Sequence, residues 1–81
     1  MVKLIDTKRN QNFVIEKIDI EDEKVVKQLK NLLIDEGRKI SLLYTNYGTK
    51  TFMVKVDGTS FAIDRKIAEK IFVKEIGLWI I

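Results

Sequence analysis

The feature that most restricts this chain is the dipeptide Asp57-Gly58, set between two runs of alternating apolar and polar residues. Thr51 to Val56 turns Phe52, Val54 and Val56 to one side and Met53 and Lys55 to the other. Ser60-Phe61-Ala62-Ile63 returns with Phe61 and Ile63 facing inward. A two-residue hairpin loop of the favoured type needs positive φ at both central positions, and Asp-Gly meets that need. The middle of the chain is therefore an antiparallel hairpin, and the rest has to be compatible with a small sheet.

Other extended segments follow the same logic. Asn12 to Ile20 is dense in β-branched residues, and a two-residue period sets Val14, Ile18 and Ile20 on one side. Lys39 to Tyr44 places Ile40, Leu42 and Tyr44 on one face, and Ile71 to Glu75 closes as a last strand. Leu4 to Gln11 reads as a lead-in strand or turn. Between the extended runs lies one amphipathic helix, Glu21 to Glu36, with Val25, Val26, Leu29, Leu32 and Leu33 as its apolar stripe. Glu21, Asp22 and Glu23 suit its positive N-terminal end, and Gly37 is its expected left-handed cap. Asp64 caps a second, short helical turn, Arg65 to Lys70, in which Ile67 and Ile71 share a face.

Two architectures accommodate this order: a ferredoxin-like layer crossed by both helices, or a small closed barrel of the SH3 type with helical insertions. The segment from Asp64 to Lys70 reaches roughly 10 Å as a helix. Crossing a strand of five or six residues requires about 17–20 Å. The second helix turns a corner and cannot cross a sheet. The expected fold is thus mainly β: a small SH3-like barrel over residues 1–75, one amphipathic helix after the first core strand, a helical turn before the last, and an apolar tail, 76–81. The barrel form also removes open strand edges.

The 81 residues allow one domain with a modest core, and an apolar fraction of 46% is enough to build it. Neither cysteine nor histidine is present. Disulfides, thiolate or imidazole metal centres and the commonest general base are excluded together. Carboxylates remain able to hold a hard cation. The densest acidic stretch, Glu16, Asp19, Glu21, Asp22 and Glu23, falls at a strand end and a helix start, where charge is normally solvated, and it lacks the glycine and spacing of a calcium loop. No residue is given a catalytic, cofactor or metal role, and the chain is read as no enzyme. The net charge of +3 is spread along the chain, with three arginines, Arg9, Arg38 and Arg65. Nucleic acid is not the expected partner, although a small nucleic-acid-binding barrel is the alternative reading. The opening residues meet charge too early for a signal peptide, and no apolar run nears the ~20 residues of a membrane span. A cytoplasmic protein is expected.

What remains is surface. Lys24, Lys27 and Lys30, with Lys39 near them, form a basic edge suited to an acidic partner, partly paired through Glu23 and Lys27. Tyr44 and Tyr47 flank the Thr45–Thr51 loop, as aromatics do in barrels that grip extended peptides, and core packing by Tyr44 with simple exposure of Tyr47 is the equal alternative. Leu78 and Trp79 lie in a tail whose apolar side chains are costly to leave in water. Packing on the domain's own surface is the default for that tail, which can add a strand to the barrel, pair between chains in a weak homo-oligomer, or dock on a partner.

The residues also resemble a known family. Val54 to Val73 is similar to the end of FeoA domains: a strand, a glycine turn, a "hydrophobic–Ala–Leu–Arg" return strand, then an Ala-containing helical turn running into "Ile–x–Val". Gly58, Ala62, Arg65, Ala68, Ile71 and Val73 stand at the matching positions. Leu29, Leu32, Leu33, Ile34, Gly37, Ile40 and Leu42 follow the family's "Leu–x–x–Leu–Gly–Leu–x–Pro–Gly–x–x–Ile/Val–x–Val" segment. The likeness runs over roughly residues 4 to 75. Glu36 replaces the family's Pro before Gly37, a larger residue replaces the Gly of the Leu–Gly–Leu step, and the tail after Glu75 extends past the usual end. The resemblance implies a cytoplasmic SH3-like barrel that supports FeoB, the membrane ferrous-iron transporter carrying a GTPase domain, and that this partner can recruit to the inner face of the membrane. It also implies kinship with the last domain of iron-dependent repressors of the diphtheria-toxin-repressor type, a barrel that contacts protein and not DNA.

Overall fold

The computed structural model describes residues 2–76. Its elements run β1 (Val2–Lys3), a 3-10 turn (Leu4–Asp6), β2 (Phe13–Ile18), α1 (Glu23–Asn31), β3 (Lys39–Asn46), β4 (Thr51–Val56), β5 (Thr59–Asp64), α2 (Arg65–Ala68) and β6 (Ile71–Glu75). The six strands form one antiparallel sheet in the order β1-β6-β2-β3-β4-β5.

The connection through α2 bends that sheet into a barrel. Four strand-to-strand steps separate β5 from β6 along the sheet, about 19 Å if it lay flat. Residues 65–70 join the two, and with four of them helical the link from Asp64 to Ile71 reaches only about 16 Å. The sheet has to curl. The first and last core strands meet as expected, β2 pairing β6 from Phe13↔Glu75 to Ile18↔Ile71. Among the described residues the seam between β5 and β1 carries no strand pairing, and α2 lies beside it, packed on β5 and β4.

Buried Phe13, Ile15, Ile40, Leu42, Phe52, Val54, Val56, Ile63, Ile71 and Val73 fill the interior from the strands. Leu4, Leu29, Ile34 and Ala68 complete the core from outside the sheet. The inward sets expected for β4 and β5 hold, with Phe61 partly buried beside Ile63.

Two strands depart from their expected faces for one reason. In β2 the inward residues are Phe13 and Ile15, and Val14 is not among the buried ones. A bulge between Ile15 and Lys17 then shifts the parity, so that Ile18, and Ile20 beyond the strand, also pack against the core. In β3 a bulge between Leu42 and Tyr44 brings Thr45 opposite inward Phe52 and turns Tyr44 outward, opposite Met53. Tyr44 does not share the face of Ile40 and Leu42.

The first helix is shorter than the expected Glu21–Glu36. Asp22 precedes it, its carboxylate accepting the Lys24 N–H at 2.9 Å. The helix stops at Asn31 because Leu33 adopts φ 65°. The Ile34 N–H then reaches the Leu29 carbonyl at 2.8 Å and the Leu33 N–H reaches that of Lys30 at 2.9 Å, the two bonds of a Schellman ending. Leu33 therefore occupies the place that glycine usually fills. Gly37, expected to be the cap, has φ 87° in the turn that follows and donates its N–H to Ile15 at 2.9 Å. Asp57 and Gly58, at φ 50° and 82°, form the expected hairpin turn. Asp64 caps α2, accepting the Ile67 N–H at 2.9 Å.

A Cβ at Gly37 or Gly58 would meet no atom within 4 Å, so alanine there is penalised by backbone conformation alone. Gly37→Ala and Gly58→Ala are each expected to lower unfolding free energy by about 1–2 kcal/mol in denaturant titrations. Gly48, whose φ lies outside the left-handed region, is expected to tolerate alanine with a change below about 0.5 kcal/mol.

Candidate partner-binding surface

The sequence-derived surface residues fall into separate groups. Lys24, Lys27 and Lys30 all project from α1 into solvent. The ion pairs among the described residues are Arg38–Asp57 at 3.0 Å and Arg65–Glu69 at 2.9 Å. The expected Glu23–Lys27 pair is not formed, and the three ammonium groups have no carboxylate partner among the described residues. Lys27 and Lys30 line a shallow groove of about 290 Å³ with Ile20, Glu21, Glu23 and Val26. Lys39 does not join them; it lines a different groove with Asn10, Ser41, Lys55 and Asp57.

The α1 face gains an apolar margin that sequence reading had placed in the core. Leu32 and Leu33 are 39% and 38% exposed. They leave the inward stripe because the helix ends at Asn31, and the left-handed step at Leu33 redirects the chain. The signal for this was present in the sequence: a bulky side chain standing where the resembling family has glycine. Basic charge and exposed leucine therefore adjoin at one helix end, a combination suited to a partner that is acidic and partly apolar.

The tyrosines occupy a second region. Tyr44 is 47% exposed on the outer side of β3, turned there by the bulge, and Tyr47 is 86% exposed in the β3–β4 turn. Tyr47 borders a cleft of about 510 Å³ with Ile5, Asp6, Lys50, Phe52 and Arg65. This cleft and the α1 groove have no residue in common. Leu78 and Trp79 lie outside the described residues. Glu16, Asp19, Glu21, Asp22 and Glu23 are exposed, Asp22 serves as the helix cap, and no three carboxylates converge among the described residues.

The strands and their order define a small SH3-like barrel. The model of the FeoA domain matches residues 2–75, and the chain belongs to the FeoA family. That family is one of small accessory domains, not a known enzyme family, and membership supports involvement in ferrous iron transport. The solution structure of the FeoA protein from Chlorobium tepidum superposes with a TM-score of 0.83 at 22% identity, over 94% of this chain and 71% of that one. A crystal structure of an iron uptake regulatory protein (FeoA) gives 0.77 at 19% identity, over 93% and 96%. The repressor ScaR with bound zinc gives 0.80 at 18% identity over 94% of this chain, which spans 37% of ScaR. Comparison with curated proteins returned no match. No described helix is long and apolar enough to cross a membrane.

Because the three lysines are exposed and have no carboxylate partner among the described residues, reversing their charge breaks no ion pair seen there. The triple variant Lys24→Glu, Lys27→Glu, Lys30→Glu is expected to stay folded, its unfolding free energy within about 1 kcal/mol of the parent in chemical denaturation.

Proposed function

We propose that this chain is a non-catalytic accessory protein of ferrous iron uptake that acts in the cytoplasm by binding the cytosolic part of a FeoB-type membrane transporter. The observation that carries this reading is the match of the FeoA domain over residues 2–75, nearly the whole chain. The surface supports it. A barrel whose α1 face sets lysines without a carboxylate partner among the described residues beside exposed leucines is suited to meet another protein.

The α1 face, with Lys24, Lys27, Lys30, Leu32 and Leu33, is the contact we assign to the transporter. Basic residues beside an apolar margin steer an acidic partner and raise the rate of encounter, and the leucines supply contact area once it docks. Tyr44 and Tyr47, with Leu78 and Trp79 of the tail, are the secondary contacts.

Titration of the full chain with the purified cytosolic part of a FeoB-type transporter tests the reading by calorimetry. Saturable binding is expected, weakened at least about tenfold in the triple lysine variant, which corresponds to about 1.4 kcal/mol. Binding by the parent should also weaken as salt rises, since exposed charges are screened. Absence of binding by the folded parent chain would remove the proposal.

A further inference from the structure

The two ends of the sheet are protected very differently. At one end β1 is two residues long and carries Lys3, the brevity and charge by which natural sheets discourage further pairing. At the other end β5 runs six residues, Thr-Ser-Phe-Ala-Ile-Asp, with no lysine, no proline and no bulge against β4. Its side chains at Thr59, Ser60 and Ala62 are small and exposed.

Backbone directions along β5 follow from its register. Val56 and Thr59 flank a two-residue loop and so exchange both backbone hydrogen bonds. Alternation makes Val54↔Phe61 and Phe52↔Ile63 bonded pairs as well. The N–H and C=O groups of Ser60 and Ala62, and the N–H of Asp64, consequently point away from β4. Among the described residues none of these groups finds another backbone or side-chain partner.

We infer that β5 is a self-association edge, at which two copies of this chain join their sheets antiparallel about a two-fold axis through Ala62. The sequence is self-complementary in that register. Ala62 meets its own copy across the axis, where two methyl groups fit without a clash. Asp64 stands opposite Ser60 of the second copy, so the two carboxylates are kept apart and each faces a hydroxyl. Phe61 stands opposite Ile63, an aromatic on a β-branched residue, which is a favourable cross-strand pair. Phe61 is only partly buried in the single chain, and the pairing covers it further. A two-fold contact of this kind closes on itself and stops at a dimer. The edge is short and the contact small, so the dimer is weak and fills only towards millimolar protein.

This inference is independent of transporter binding, because it uses neither α1 nor the tail. Sedimentation of the full chain from micromolar to millimolar concentration is expected to pass from monomer to dimer. Over the same range, amide exchange at Ala62 and Asp64 should slow, while Phe61 and Ile63, already bonded to β4, serve as internal controls. Ala62→Pro removes an outward N–H that β4 does not use, so the fold tolerates it and the dimer is lost. Ala62→Lys sets two ammonium groups face to face and should abolish the dimer in the same way. Circular dichroism confirms that both variants fold. Replacing Leu78 and Trp79 by serine should leave association unchanged. The inference is overturned by a chain that stays monomeric throughout, by a dimer insensitive to both Ala62 variants, or by one lost on removing the tail side chains.

Discussion

The pairing of β2 with β6 is the interaction on which the other features rest. It joins Phe13 to Glu75 and Ile18 to Ile71, and so ties the beginning of the barrel to its end. With α2 too short to let β5 and β6 drift apart, the same contact curves every strand between them. The interior is then sealed by side chains from outside the sheet: Leu4, Leu29, Ile34 and Ala68. A small domain buries a limited share of its surface, so using helices and turns as lids matters more here than it would in a larger one.

Much of this was readable in advance because it depends on local chemistry. Asp57-Gly58 dictated its hairpin, the alternation of Phe52, Val54 and Val56 dictated which side of β4 faces inward, and Asp64 capped α2 as its residue type suggests. What escaped reading depends on single-residue irregularities. Bulges at Glu16 and Leu43 leave no mark in composition, yet each reverses the sidedness of everything after it. Strict alternation therefore chose Val14 over Ile15 and put Tyr44 inside. The end of α1 escaped for a related reason. Leucine is a strong helix former, and nothing local announces that Leu33 will take a left-handed conformation. Only comparison with the family's glycine at that step pointed to it.

For the surface, the residue types could be read and their grouping could not. The lysines of α1 were recognisable from their spacing, but Lys39 belongs to another groove, and Glu23 leaves Lys27 unpaired. Leu32 and Leu33 were assigned to the core on periodicity and instead border the lysines. Conformational strain at Leu33 and partial exposure of its side chain coincide at one residue.

The Phe13–Glu75 pairing also has a temporal side. In a nascent chain β2 is made well before β6, so one flank of β2 stays without its strand until residues 71–75 are made. The hairpins β3–β4 and β4–β5 can form earlier, since their partners lie close together in the chain. Closure of the barrel therefore waits for β6, and until then Phe13 and Ile15 remain within reach of any chaperone that recognises exposed apolar side chains.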